Sequence, residues 1–274
     1  GIDFKGGALS EVVYPDVRPS QEILGPSLES LGFGAILLQP TEKQGEIGYI
    51  VKSRDLSDPE HALLLKTLSQ NDTTPLTETS FNSIGPSVGR ELTRKAILAI
   101  VLISLAIITF IAFAFRKVSA QVSSWKYGVI AVVTLLHDVI IPVGLFTILS
   151  KFYGAEVDTL FVVAILTILG LSVSDTIVIF DRIRENIKNL SSDAKIDFPH
   201  MVGTSLEQSY VRSICTSLTV ILVLLALFFF GPVTTKYFAL MLVTGMFFGT
   251  YSSIFLASPL LVLVQEWQDK KKKS

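Results

Sequence analysis

The sequence predicts a polytopic α-helical membrane protein with a small α/β domain at its N-terminal end. Three observations predict it. Of 274 residues, 50% are hydrophobic and 17% charged, with a mean hydropathy of +0.56, and a soluble domain usually carries more charge. Almost all of that hydrophobicity follows Lys95, in five apolar runs at 96–115, 127–149, 159–180, 213–230 and 237–264, each near or above the ~20 residues that cross a bilayer as a helix. Residues 1–89 hold six Lys/Arg and twelve Asp/Glu, a net of −6, and nothing there suggests a nucleic-acid surface. The organisation is therefore a domain over 1–89, a membrane domain over 90–266 and a basic tail over 267–274.

Within 1–89 the elements follow in order. Leu9, Val12, Val13 and Tyr14 predict a strand over 8–14. Ser20 to Leu31 reads as a helix that Gly25-Pro26 should interrupt, since proline removes a hydrogen bond and crowds the preceding turn. Phe33 to Gln39, bounded by Gly32 and Pro40, reads as a second strand, and Ile47 to Lys52, reached through Gly45, as a third. Asp58-Pro59 is a helix start, and that helix should run to about Gln70. Pro75 to Phe81 completes a β-α-β-β-α-β order, that of the split βαβ, ferredoxin-like motif. Ser83-Ile-Gly-Pro-Ser-Val-Gly-Arg90 then reads as a hinge-like linker, because Gly85, Pro86 and Gly89 should prevent a continuous helix.

Lys and Arg in short loops set orientation. Arg116, Lys117 and Lys126, then Arg182, Arg184, Lys188, Lys195 and Arg212, then Lys270 to Lys273 share one side if the runs are successive spans; the opposite loops hold only Lys151 and Lys236. The C-terminus is then cytoplasmic and residues 1–95 are extracytoplasmic. No signal peptide or apolar segment precedes residue 96, so an upstream spanning helix or a preceding polypeptide is expected to export that domain. The lone Cys215 excludes a disulfide framework.

The spans carry two ionisable groups that need explaining. Asp138 lies about 11 residues into its run, roughly 16 Å along a helix. It serves either as a structural acceptor for small polar groups of a neighbouring helix or as a titrating site. His137 adjoins it on another helix face, so the two need not touch. Pro142 frees a backbone carbonyl near Asp138. Asp175 lies inside the third run, about 9 Å of helix before Asp181-Arg-Ile-Arg-Glu185. An acid within a span is a functional hypothesis by default. Gly170 and Ser174, at i and i+4, permit close helix contact, so Asp175 should face a neighbouring helix. A polar loop with a helix over about 200–212 follows, closed by Arg212. That side chain either reaches outward to the interface or inward to Asp175, whose proton affinity a nearby cation would control. In the last run, Gly245 and Gly249 form a G-x-x-x-G. The run is long enough to tilt or to break near Pro259. The tail Lys270 to Lys273 suits a lipid surface.

These residues resemble the SecF family of protein-export membrane proteins. The resemblance rests on Gly1-Ile-Asp-Phe-Lys-Gly-Gly7, Ser83-Ile-Gly-Pro-Ser-Val-Gly-Arg-Glu91, His137-Asp138, Asp175-Thr-Ile-Val-Ile-Phe-Asp-Arg-Ile-Arg-Glu-Asn186 and Gly249-Thr-Tyr-Ser-Ser-Ile-Phe-Leu-Ala-Ser-Pro259, in order along the whole chain. It implies an RND-type bundle, five of six spans here, and an exported ferredoxin-like domain in a multi-pass protein of the bacterial inner membrane. The chain is then a SecF without its first span, or the SecF half of a SecD-SecF fusion. The resemblance implies SecD, the SecYEG channel and exported preprotein as partners, and use of the proton-motive force. It implies a proton pathway through Asp175 and Arg212, with Asp138 a family acid, and His137, Ser174 and Thr176 in support. Ser174 stands where the family often has Asn, and the match at Arg212 rests on position and residue type. A small-molecule or lipid exporter and a non-transducing scaffold are the rival readings. No phosphate-binding loop, metal-ligand cluster or nucleophile triad points to an enzyme or a cofactor.

Overall fold

The computed structural model describes residues 1–43, 46–114, 124–189 and 197–273. Gly45, Arg116, Lys117 and Lys195 lie outside them. The chain divides into two compact units, Gly1–Ile97 with Val157–Thr159, and Leu98–Glu156 with Leu160–Ser274.

The first unit is a four-stranded antiparallel sheet with two helices on one face. A short helix, α1 (Ile2–Lys5), leads into β1 (Gly7–Tyr14). Between them Gly6 and Gly7 have φ of 83° and 143°, and a Cβ on Gly7 would stand 2.7 Å from the Ser53 carbonyl oxygen. The Gly6-Gly7 pair is thus set by backbone geometry. Asp3 Oδ2 accepts the Thr159 N–H at 2.7 Å.

The order continues with α2 (Gln21–Glu29), β2 (Leu37–Lys43), β3 (Glu46–Ser53), α3 (Asp58–Leu68) and β4 (Thr77–Ile84), with strand order β2-β3-β1-β4. This is the expected β-α-β-β-α-β arrangement. Alternation along β1 sends Ala8, Ser10, Val12 and Tyr14 inward. There the apolar ones meet Leu24 and Leu28 of α2 and Leu64 and Leu68 of α3.

Four local expectations are corrected. Helix α2 passes through Pro26; a single lost backbone bond is outweighed by burial of Leu24 and Leu28 on either side. The second strand runs 37–43 rather than 33–39 and contains Pro40. It is an edge strand, where a missing N–H leaves no ladder bond unmade. β4 runs to Ile84 rather than ending at Phe81. The linker is also not a loop through 90, because helix α4 (Pro86–Ala114) starts one residue after the strand. Pro86 occupies the first helical position, where its missing N–H is harmless. Gly89 lies inside the helix, and a Cβ there would be 2.9 Å from the Phe4 carbonyl oxygen.

In the second unit, α4 is followed by α5 (Ser124–Tyr153), α6 (Thr159–Lys188), α7 (Phe198–Phe230), α8 (Lys236–Ser252) and α9 (Ser258–Lys273). Among the described residues, five helical stretches are long and apolar enough to cross a membrane, α8 and α9 forming one of them. The separate helix expected over 200–212 is part of α7. Asp197 and Pro199 start α7, the Asp197 carboxylate accepting the His200 N–H at 3.4 Å, and no proline intervenes before Gly231. The anticipated break near Pro259 is a π-turn over Ser253–Ala257 that joins α8 to α9. Ser258 Oγ donates to the Ser253 carbonyl at 3.2 Å, at the wider spacing of such a turn. α4 is nearly all exposed and α6 is the most buried span.

Candidate functional site

The membrane unit places its polar groups where α5, α6, α7 and α8 converge. Small residues make that convergence possible. A Cβ on Gly245 of α8 would collide with the Ile168 side chain of α6, and one on Gly249 would lie 3.3 Å from Ser172 Cβ. The glycine pair expected to pack tightly therefore seats α8 against α6. On α7 the buried polar residues are Ser205, Ser209, Ser213 and Ser217, one every four residues and so one face of the helix.

Two carboxylates occupy this interior, and their surroundings differ. Asp138 of α5 has 0% exposure. Its Oδ2 accepts hydrogen bonds from Ser172 of α6 and, at 2.8 Å, from Ser252 of α8. Its Oδ1 is 2.8 Å from His137 Nδ1. The expectation that His137 and Asp138 need not touch is corrected, because the ring folds back along the helix onto the neighbouring carboxylate. Pro142, four residues on, deprives the Asp138 carbonyl of its helical donor, yet α5 continues to Tyr153.

Asp175 of α6 is partly buried, with Ser213 of α7 and Thr250 of α8 as its polar neighbours and Asp138 close enough to act on its charge. Its Oδ2 and the Ser213 Oγ are both shut from solvent without a hydrogen-bond partner. Thr250 is bonded to Ser217 of α7. On the next residue of α6, Thr176 shares a hydrogen bond of 2.9 Å with Ser253, the first residue of the π-turn. Asp175 and Thr176 thus face hydroxyls of α8 and of the turn that follows it.

Two expectations about Asp175 change. Gly170 and Ser174 are exposed, and a Cβ on Gly170 would meet nothing within 4 Å, so this seam does not pack inside the chain. Arg212 is exposed and no ion pair joins it to Asp175 among the described residues. Ser213 faces inward, and the residue before it points about 100° away around the helix. At the foot of the bundle, Arg182 Nε donates to Gln208 Oε1 at 2.6 Å and Asn186 Nδ2 to Ser205 Oγ at 2.8 Å, tying α6 to α7. The serine face of α7 and the α8 hydroxyls are the site residues that sequence reading missed. The four-residue spacing of the α7 serines was the available signal. Among the described residues no group of His, Cys, Asp and Glu is arranged to hold a metal.

Comparison with known proteins places this geometry in a family. The family described as "Protein export membrane protein SecD/SecF, C-terminal" matches residues 64–267. A protein translocase subunit SecF of Thermobaculum terrenum is 42% identical over 98% of this chain and 84% of its own length. The protein translocase subunit SecDF of Bacillus subtilis is 33% identical over 94% of this chain, which spans 33% of that relative. Among solved structures, the crystal structure of SecDF from Thermus thermophilus, titled a translocon-associated membrane protein, matches with a TM-score of 0.77 at 33% identity, covering 97% of this chain and 34% of that one.

Proposed function

The chain belongs to the SecD/SecF family of protein-export membrane proteins, and from that membership we propose that it is an accessory subunit of protein translocation that, with SecD, uses the proton-motive force to promote export of preproteins through SecYEG. The observation that carries the reading is the Asp175 site. Asp175 Oδ2 and the Ser213 hydroxyl stand buried without a well-formed hydrogen bond, while Ser213 and Thr250 lie close enough to act on the carboxylate, between three helices whose contacts depend on small polar groups. A buried polar group without a partner is costly. A proton or a water entering there changes which hydroxyls Asp175 binds, and so biases the packing of α6 against α7 and α8.

SecD is the partner we assign to the open face. Gly170 and Ser174 on α6 and Arg212 on α7 are exposed. A charged side chain at membrane depth needs an acceptor or a polar cavity, and small residues invite a close helix. Residues 1–89 then stand on the extracytoplasmic side of a bacterial inner membrane, where a translocating chain emerges.

The test is proton-gradient-dependent export of a preprotein into inverted membrane vesicles carrying Asp175→Asn, with SecD and the channel present. The gradient-dependent component should fall by about 10²-fold or more, the scale of a lost proton-transfer group. Export that responds to the gradient as in the wild type would refute the reading and leave the scaffold role, which requires assembly but no titrating acid.

A further inference from the structure

The two buried acids differ in one respect that separates their roles. Every side-chain oxygen of Asp138 is occupied, and its partners come from three helices. Ser172 and Ser252 both reach Oδ2, and His137 meets Oδ1. The carboxylate is fully buried. Asp175 keeps a buried oxygen without a partner, as does the adjacent Ser213. Asp175 can therefore take up a proton or a water without breaking a bond, whereas Asp138 can exchange a proton only along its existing contact with His137.

We propose that Asp138 is a positioning residue, a fixed acceptor that pins α6 and α8 to α5 and thereby builds the Asp175 site. The inference rests on the proton-coupled reading of Asp175. Its geometry is local. Ser172 precedes Asp175 by three residues on α6, so the two lie on neighbouring parts of one face. Ser252 follows Thr250 by two residues on α8, and Thr250 is one of the two hydroxyls facing Asp175. Asp138 therefore holds both helices that wall the Asp175 site. The same strut stands at the entrance to the π-turn Ser253–Ala257, where Thr176 and Ser253 link α6 to the turn. π-turns recur at functional sites; here the turn begins where the pinned part of α8 ends. Ser252 Oγ also lies 2.9 Å from the Gly249 carbonyl. It therefore ties the strut to the glycine that lets Ser172 approach.

A proton carrier and a fixed acceptor respond oppositely to the amide isostere. In Asp138→Asn, the amide oxygen still accepts from Ser172 and Ser252, and the NH₂ group donates to a His137 ring nitrogen. Every contact survives, but the side chain no longer exchanges a proton. The experiment measures preprotein export with and without an imposed proton gradient, in vesicles holding the full translocation assembly. The variants are Asp138→Asn, Asp138→Leu, the double variant Ser172→Ala/Ser252→Ala, and Asp175→Asn. Membrane assembly of each is checked by co-purification with SecD.

Asp138→Asn should keep its gradient response within about threefold of wild type, the scale of one rearranged neutral hydrogen bond. Asp138→Leu and the double serine variant should assemble but lose up to about 10²-fold of the gradient-dependent component, the scale of a misplacement of about 1 Å. Both should co-purify with SecD at the wild-type level, which a general loss of fold would not allow. The proposal is overturned if Asp138→Asn loses the gradient response as Asp175→Asn does. A full response in the double serine variant overturns it as well. Failure of Asp138→Asn to assemble also overturns it, because the amide preserves every contact on which the role depends. A full gradient response in Asp175→Asn would instead remove the proton-coupled reading itself.

Discussion

The packing of α8 on α6 can be tested by adding one methyl group. In Gly245→Ala the new Cβ meets Ile168, whose Cγ2 would lie 3.1 Å away with Cγ1 and Cδ1 closer still. Ile168 is 1% exposed, so the helices must separate or the side chain must leave its rotamer. Overpacking of this kind costs about 1–3 kcal/mol, while alanine returns about 0.5–1 kcal/mol of helix propensity. The two terms nearly offset at the low end, so the single variant is a poor test. A double-mutant cycle removes the propensity term, which is the same in any background. Ile168→Ala alone should cost about 2–5 kcal/mol. Once it has opened the site, Gly245→Ala should become neutral or stabilising. The coupling energy then equals the overpacking term, about 1–3 kcal/mol in favour of the double variant. The assay is reversible unfolding of the purified protein in mixed micelles, followed by tryptophan fluorescence. A coupling below about 0.5 kcal/mol, the ordinary limit of additivity, would refute close α6–α8 packing at Gly245. Gly170→Ala is the internal control. Nothing lies within 4 Å of its Cβ position, so in this chain alone it should stabilise by about 0.5–1 kcal/mol.

Two further outcomes concern the N-terminal domain. Tyr14 is 1% exposed and its hydroxyl donates to the Leu68 carbonyl at 3.0 Å; burial, with Tyr49 beside it, pushes its ionisation from 10.0 up to about 12. Its contribution should be complete below pH 10 and be lost as pH rises through about 12, read as tyrosinate absorbance coincident with loss of helix; Tyr14→Phe should cost about 1–3 kcal/mol by removing the donor. Glu60 closes a capping box with Ser57 and binds Arg54, and the Arg54 bond first, then the Ser57 bonds, hold its carboxyl down from 4.5 to about 2. Its support for α3 should therefore be complete above pH 4.5 and be lost as pH falls through about 2. Hydrogen exchange at the first turn of α3 should accelerate over that window, and Glu60→Gln should abolish the pH dependence.

Much of the fold was legible because its signals are cumulative. An apolar run of about 20 residues is a strong statement even when its ends are uncertain, and β-α-β-β-α-β emerged from period-two alternation, a cap and punctuation by glycine and proline. The local errors came from tertiary context. Pro40 reads as a strand terminator, but tolerance of proline depends on whether the strand lies at a sheet edge, which only β2's pairing with β3 alone reveals. Pro26 reads as a helix breaker, but Leu24 and Leu28 hold α2 against the sheet. The hinge residues Gly85, Pro86 and Gly89 read as a flexible linker, but proline at the first helical position lets α4 start there. The two acids were legible as costly charges. Their difference was not, because the serine donors to Asp138 come from residues 34 and 114 positions away.

The Arg212 reading shows how a pattern already in the sequence decides a contact. Taken as the residue before an apolar run, Arg212 could reach either inward or outward. Taken as part of one helix with Ser205, Ser209, Ser213 and Ser217, it has less freedom. Four serines at a spacing of four define a face narrow enough to admit another helix, and that face bonds Asn186 and Thr250 and sets Ser213 beside Asp175. One residue before Ser213, Arg212 lies about 100° off the face. Pairing it with Asp175 inside this bundle would require α7 to rotate by about that angle, breaking the Ser217–Thr250 and Asn186–Ser205 hydrogen bonds together. The lengths of these side chains do not limit the pairing; the helix face does. An acceptor for Arg212 is then to be sought outside this bundle, as is a partner for the exposed Gly170 and Ser174.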